Sequence, residues 1–340
     1  MGRGTLHTAY IHVETDLDEQ GNLIFAANKR DLKLLCINRQ TDDTTAVAKM
    51  NDKAYALCVL DDGRICAIEK AGRHPKRALV VYASKKGQQL LYEAVSQLVF
   101  PKKTVSCKTC DLHVVNAEAE VTIMLATFNC HHATFSVQLT GRDTEGVGLG
   151  MKKTRLEDRV RRSTINKALR QIVVSFVGGQ VVLYKYSGSG ALTPLRRFNA
   201  SQLEVRPERQ HPSLWCRQAK LNNVVLTQMG VVIASGCMTF DDPDLVEDES
   251  RHGLFWFDFN TDSIKPKQVR KPTDTDDVAL ANMFYVDKWK RLFVYDVKHQ
   301  SLAEYALEFR YQRQAAGEKT LLFQKIQQVA ELQEQGCSTT

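Results

Sequence analysis

The chain has 340 residues, 43% of them hydrophobic and 25% charged, enough apolar matter for a substantial core, with a formal net charge of +7. No apolar run reaches the roughly 18 to 20 residues of a membrane-spanning helix, and Met1-Gly2-Arg3-Gly4-Thr5-Leu6-His7 leads into no long apolar segment. No membrane partner and no secretory signal are therefore expected.

Short β-branched and apolar runs, broken by turn residues, recur in blocks of about 50 residues. The first block, 6–50, offers strands at His7–Glu14, Asn22–Ala27, Lys33–Asn38 and Thr44–Lys49. The second, 53–98, offers Ala54–Leu60, Arg64–Glu69, Ala78–Ala83 and Gln89–Val95. Its Asp61-Asp62-Gly63 break is a tight-hairpin signal, because Asp and Gly accept the backbone such turns need. The third, 106–150, holds Thr109–Val115, Val121–Asn129 and Ala133–Leu139, then leaves through Gly146-Val147-Gly148-Leu149-Gly150.

The fourth block, 164–200, reads Leu169–Phe176, Gln180–Tyr186 and Leu192–Phe198. The fifth, 213–271, reads Leu214–Leu221, Val231–Met238, Gly253–Phe259 and Ile264–Arg270. The sixth, 277–330, reads Val278–Val286, Arg291–Val297, Leu302–Phe309 and Leu321–Val329. That last run fits a strand, or an amphipathic helix using Leu322, Ile326 and Val329. Residues 331–340 form a tail.

Four strand-sized runs per block make an all-β fold, a β-propeller of about six or seven four-stranded blades within one domain, 1–330. Irregular segments 99–110 and 200–213 are where a seventh blade would be found. A β-sandwich or two stacked β-domains, and after them a mixed α/β fold, are the alternative architectures. Leu254 and Trp256 alternate with Phe255, Phe257 and Phe259, so both faces are apolar, as a strand between two neighbouring sheets requires. Phe257-Asp258 and Tyr295-Asp296 stand where WD repeats carry Trp-Asp, with Val80-Val81-Tyr82 and Val182-Leu183-Tyr184 as acid-free counterparts. On these residues the chain resembles a degenerate WD-repeat propeller, which implies a scaffold fold.

Charge is concentrated. From Lys152 to Arg170 there are eight Lys or Arg against Glu157 and Asp158, which is six of the chain's seven net positive charges. The segment reads as a basic insertion between blades. Lys152, Lys153, Arg155, Arg159, Arg161 and Arg162 are its candidate partner-binding residues, suited to nucleic-acid phosphate or an acidic protein surface. If helical, it places Arg155, Arg159 and Arg162 on one face. Neutralising Arg155, Arg159, Arg161 and Arg162 is expected to leave the fold intact. Arg161-Arg162-Ser163-Thr164 also has the form of a basophilic kinase site.

Opposite in sign, Asp241, Asp242, Asp244, Glu247, Asp248 and Glu249 surround Pro243 between two strands, a second candidate docking loop. Cys107, Cys110, Cys130 and His132 could together make a zinc site, but Cys and His in strands of such a protein more often pack, so no metal and no cofactor is expected. Nine cysteines, an odd number, lie mostly inside apolar runs, as Cys36, Cys58 and Cys66 do, which fits free thiols in a cytoplasmic or nuclear setting. No nucleophile elbow, zinc-protease or phosphate-loop motif occurs, although Asp111 and His113 lie where a propeller channel would run.

The sequence thus reads as a non-catalytic scaffold, a propeller subunit of an intracellular multiprotein or ribonucleoprotein complex. The alternatives are a six-bladed lactonase or esterase, and a subunit that binds RNA or DNA directly through 152–170.

Overall fold

The computed structural model describes residues 23–27, 32–38, 41, 44–60, 62–71, 76–85, 91–100, 110–117, 121–128, 131–138, 148–199, 204–205, 214–227, 229–241, 249–259, 267–268, 282–286, 290–296, 301–311 and 319–331. These residues form six antiparallel sheets that follow one another along the chain.

The first sheet joins β1 (Leu23–Ala27), β2 (Lys33–Ile37) and β3 (Thr44–Lys49). The second runs through β4 (Ala54–Val59), β5 (Ile65–Ala71), β6 (Lys76–Ser84) and β7 (Tyr92–Val99). The third contains β8 (Cys110–Ala117), β9 (Val121–Phe128), β10 (His131–Gln138) and β11 (Gly148–Arg155). The fourth contains β12 (Val160–Asn166), β13 (Gln171–Phe176), β14 (Gln180–Tyr186) and β15 (Leu192–Asn199).

The fifth sheet contains β16 (Glu204–Val205), β17 (Leu214–Leu226), β18 (Val231–Asp241), β19 (Glu249–Asp258) and β20 (Lys267–Gln268). The sixth contains β21 (Asn282–Val286), β22 (Arg291–Asp296), β23 (Ser301–Tyr311) and β24 (Lys319–Glu331). The expected first strand at His7–Glu14 lies outside the described residues.

Turn chemistry sets the meander. Gly63 (φ 83°) and Gly230 (φ 73°) close the β4–β5 and β17–β18 hairpins in the left-handed conformation that glycine adopts without steric cost. At the same place, just before the second strand, the fourth and sixth sheets carry Arg170 (φ 50°) and Lys290 (φ 52°). Asn166 supports the first of these turns by accepting the Leu169 N–H at 3.0 Å.

Apolar layers then bind sheet to sheet. Leu79 and Val81 of β6 meet Leu112, Met124 and Ala133 of the third sheet. Leu125 meets Ile172, Phe176 and Tyr184 of the fourth. Phe255, Phe257 and Phe259 pack on the fourth sheet, whereas Leu254 and Trp256 pack on the sixth, so β19 is apolar on both faces. Phe198 and Phe257 have ring centroids 4.6 Å apart across that boundary. Burying such rings on both sides contributes roughly 1.5 to 3 kcal/mol per side chain.

The leading strands β4, β8, β12, β17 and β21 pack beside one another in turn. Successive antiparallel meanders, stacked face to face with their leading strands adjacent, are the architecture of a β-propeller.

One expectation changes, and one open choice falls to the strand reading. The basic segment is neither an insertion nor a helix: residues 152–155 belong to β11, the last strand of the third sheet, and 160–166 form β12, the leading strand of the fourth. Gly148 and Gly150 likewise lie inside β11. Leu321–Val329 belongs to strand β24, because Lys319–Glu331 pairs along β23.

Candidate functional site

The four residues 156–159 joining β11 to β12 are tied down. Leu156 and Val160 are buried between the third and fourth sheets. The Asp158 carboxylate accepts the Arg159 N–H at 2.6 Å and the Gly178 N–H at 3.3 Å, and Val177 N–H donates to Arg159 O at 2.8 Å. This anchoring divides the basic run. Lys152, Lys153, Arg155 and Arg159 are exposed, whereas Arg161 and Arg162 are half-buried. Arg197 on β15, also exposed, reaches this link and pairs with Glu157.

Arg162 turns inward. Its Nη1 donates to Asp111 Oδ1 of β8 at 2.9 Å, and Asp111 Oδ2 accepts the Ser163 N–H at 2.7 Å and the Ser163 hydroxyl at 3.3 Å. Thr127 Oγ1 lies 2.6 Å and His113 Nε2 2.9 Å from Ser163 Oγ. Burial lowers the His113 pKa to about 4, with the nearby Asp111 charge partly countering it. Asp111 and Ser163 are buried, so the cluster fastens the leading strands of two neighbouring sheets.

The cluster contains serine, histidine and aspartate, but not in a relay. In a hydrolytic triad the carboxylate holds the imidazole and the imidazole takes the serine proton. Here the carboxylate holds the serine itself, through its backbone and hydroxyl, and is further neutralised by Arg162. The burial of Ser163 also means that Arg161-Arg162-Ser163-Thr164 does not present its serine to a kinase. Neutralising Arg162 would remove one of the donors that hold Asp111, so among the four arginines Arg162 is the one whose loss is expected to reach the fold.

His132, on β10, is buried, and its Nδ1 has no hydrogen-bond partner among the described residues. Its pKa falls to about 4, through burial and then the charges of Lys152 and His131. Burial, followed by Glu157, pushes Tyr184 up to about 12.

Of the zinc candidates, Cys107 and Cys130 lie outside the described residues, while Cys110 opens β8 and His132 lies in β10. Among the described residues no three His, Cys, Asp or Glu side chains are placed to hold a metal ion. Cys36, Cys58 and Cys66 are buried free thiols. In the acidic stretch, Asp241 ends β18 and Glu249 begins β19, whereas Asp242, Asp244, Glu247 and Asp248 lie outside the described residues.

The sequence pointed to Asp111 and His113, gave Ser163 a different role within a kinase-type motif, and missed Thr127. The only sequence signal was polar residues interrupting apolar strands, with nothing to say that they meet.

No family model matches the chain, and no curated protein matches it in sequence. Among solved structures it is similar to the β-propeller domain of Cps50 (Swd1) from Myceliophteria thermophila, at 9% identity and a TM-score of 0.49, covering 86% of this chain and 94% of that one. It is also similar to a protein from Lactobacillus plantarum at 12% identity and a TM-score of 0.48, covering 94% of this chain and 81% of that one. A third, from Bacteroides uniformis and described as a candidate 6-phosphogluconolactonase, shows 13% identity and a TM-score of 0.45, covering 89% and 95%.

Proposed function

We propose that this chain is a non-catalytic interaction platform, a propeller subunit of a larger intracellular assembly, whose basic rim receives an acidic partner protein surface. The supporting observation is the division of the basic run. Lys152, Lys153 and Arg155 on β11 and Arg159 in the anchored link that follows stay exposed, with Arg197 of β15 paired to Glu157 of the same link, while Arg162 serves the fold. Charges fixed on a rigid edge lose little entropy on docking, and several acting together steer association as well as holding the complex.

The test replaces Lys152, Lys153, Arg155 and Arg159 with Gln and compares the proteins retained from native cells with those retained by the unchanged chain. A lost partner whose binding declines gently with salt supports the reading. Retention of every partner would sink it, and a steep salt slope with single-stranded RNA would replace the protein partner by nucleic acid.

A further inference from the structure

The last strand of a sheet offers one backbone edge to solvent, and proteins blunt such edges with charge or proline. β11 carries Lys152, Lys153 and Arg155, and β15 carries Pro194, Arg196 and Arg197. β7 differs. Its sequence Tyr92-Glu93-Ala94-Val95-Ser96-Gln97-Leu98-Val99 contains one charged residue, and no strand among the described residues pairs with its outer side. Leu91 is 42% and Val99 48% exposed, so apolar side chains face solvent at both ends of this strand.

Beside the start of β7 lies a groove of about 550 Å³ between the first and second sheets. Val47 and Leu91 contribute apolar walls, and Lys33, Lys49, Lys85 and Glu93 contribute charge. Lys33 and Lys49 are direct cross-strand partners on β2 and β3. Like charges placed opposite each other in a sheet are destabilising. Lys85 joins them from the neighbouring sheet, brought to the β7 entrance by its N–H bond to Leu91 O at 2.7 Å. Among the described residues, three ammonium groups and one carboxylate line the groove, a balance that favours an anion.

We propose that β7 is a strand-addition site for an extended, acidic peptide segment of a partner protein, whose carboxylates sit among Lys33, Lys49 and Lys85. A strand edge is read by peptide N–H and C=O groups, which neither a lipid headgroup nor a nucleic acid supplies in that repeat. The lysines then select acidity at one end of the added strand. This site is separate from the basic rim of β11 and stands or falls independently of it.

The probe is a displayed library of random peptides selected on the full chain, with winners re-synthesised and measured in solution. Selected peptides should pair a run of Asp or Glu with alternating apolar residues. Lys33→Glu, Lys49→Glu and Lys85→Glu combined should weaken them by at least about tenfold while leaving circular dichroism unchanged, and bound peptide should slow amide exchange across 92–99. The proposal is overturned if no peptide is enriched, if enriched peptides bind the triple variant equally well, or if protection falls elsewhere. Displacement of the peptide by phosphatidylserine vesicles or single-stranded RNA with the same lysine dependence would also overturn it, making the groove a general anion site.

Discussion

Asp111 holds Ser163 twice, accepting its backbone N–H at 2.7 Å and its hydroxyl at 3.3 Å, across the boundary between the third and fourth sheets. Removing that carboxylate leaves a buried N–H and the Arg162 guanidinium without their acceptor. Asp111→Ala should therefore lower unfolding free energy by about 2 to 4 kcal/mol, and Asp111→Asn by less, since the amide oxygen still accepts. Urea unfolding of both variants measures the difference, and equal, near-zero losses would refute a role for this carboxylate in fastening the sheets.

Charge removal should separate two kinds of arginine. Arg162→Gln breaks a partly buried ion pair and should cost about 1 to 3 kcal/mol, whereas Arg155→Gln and Arg159→Gln should stay within about 0.5 kcal/mol. Thermal unfolding of the three single variants decides the matter, and equal costs would contradict the division between rim and interior.

Acid should loosen this fold before it titrates ordinary carboxylates. His113 and His132 have pKa values lowered from 6.5 to about 4, so the folded state resists protons that the unfolded chain accepts. The stability they permit is complete above about pH 6.5 and is lost as pH falls toward 4, by roughly 1 to 3 kcal/mol per histidine. Glu69 acts oppositely: burial raises its pKa, so its protonation favours the folded state as pH falls. Unfolding measured from pH 7 to 4 should weaken steadily in the unchanged chain and less in His113→Gln with His132→Gln. Identical profiles would overturn this reading.

Gly190 should prove irreplaceable where Gly188 is not. A Cβ on Gly190 would collide with Thr134 Cγ2 and sit on a backbone at φ 77°, whereas one on Gly188 meets nothing within 4 Å. Gly190→Ala should cost about 2 kcal/mol or more, Gly188→Ala little, and Thr134→Ser should recover part of the Gly190→Ala loss. A thermal-melt cycle of these variants tests it, and strict additivity would exclude the contact.

How much of this was legible depends on the range of each interaction. The two apolar faces of Leu254–Phe259 and the Asp61-Asp62-Gly63 hairpin could be read because alternation and turn chemistry act between neighbours in sequence. Arg170 and Lys290 gave no such sign, since nothing local marks a charged residue as left-handed. The run Lys152–Arg162 was misread as an insertion because exposed strand edges and loops share a charged composition. Only Leu156 and Val160 hinted at burial, and their spacing suits a helix as well as a link. Asp111 and Ser163 lie 52 positions apart, beyond any sequence pattern.

β12 faces two ways. Ser163 is bonded back to Asp111, while the next residue, Thr164, donates forward to Val224 O of β17 at 2.6 Å, 60 positions later in the chain. On a ribosome the backward tie is available as soon as β12 emerges, but the forward acceptor does not yet exist. At about 5 to 20 residues per second the gap is about 3 to 12 s. Through that interval β12 has a finished sheet on one side and water on the other, so the nascent chain has a direction of assembly, each leading strand recruited by the sheet made before it.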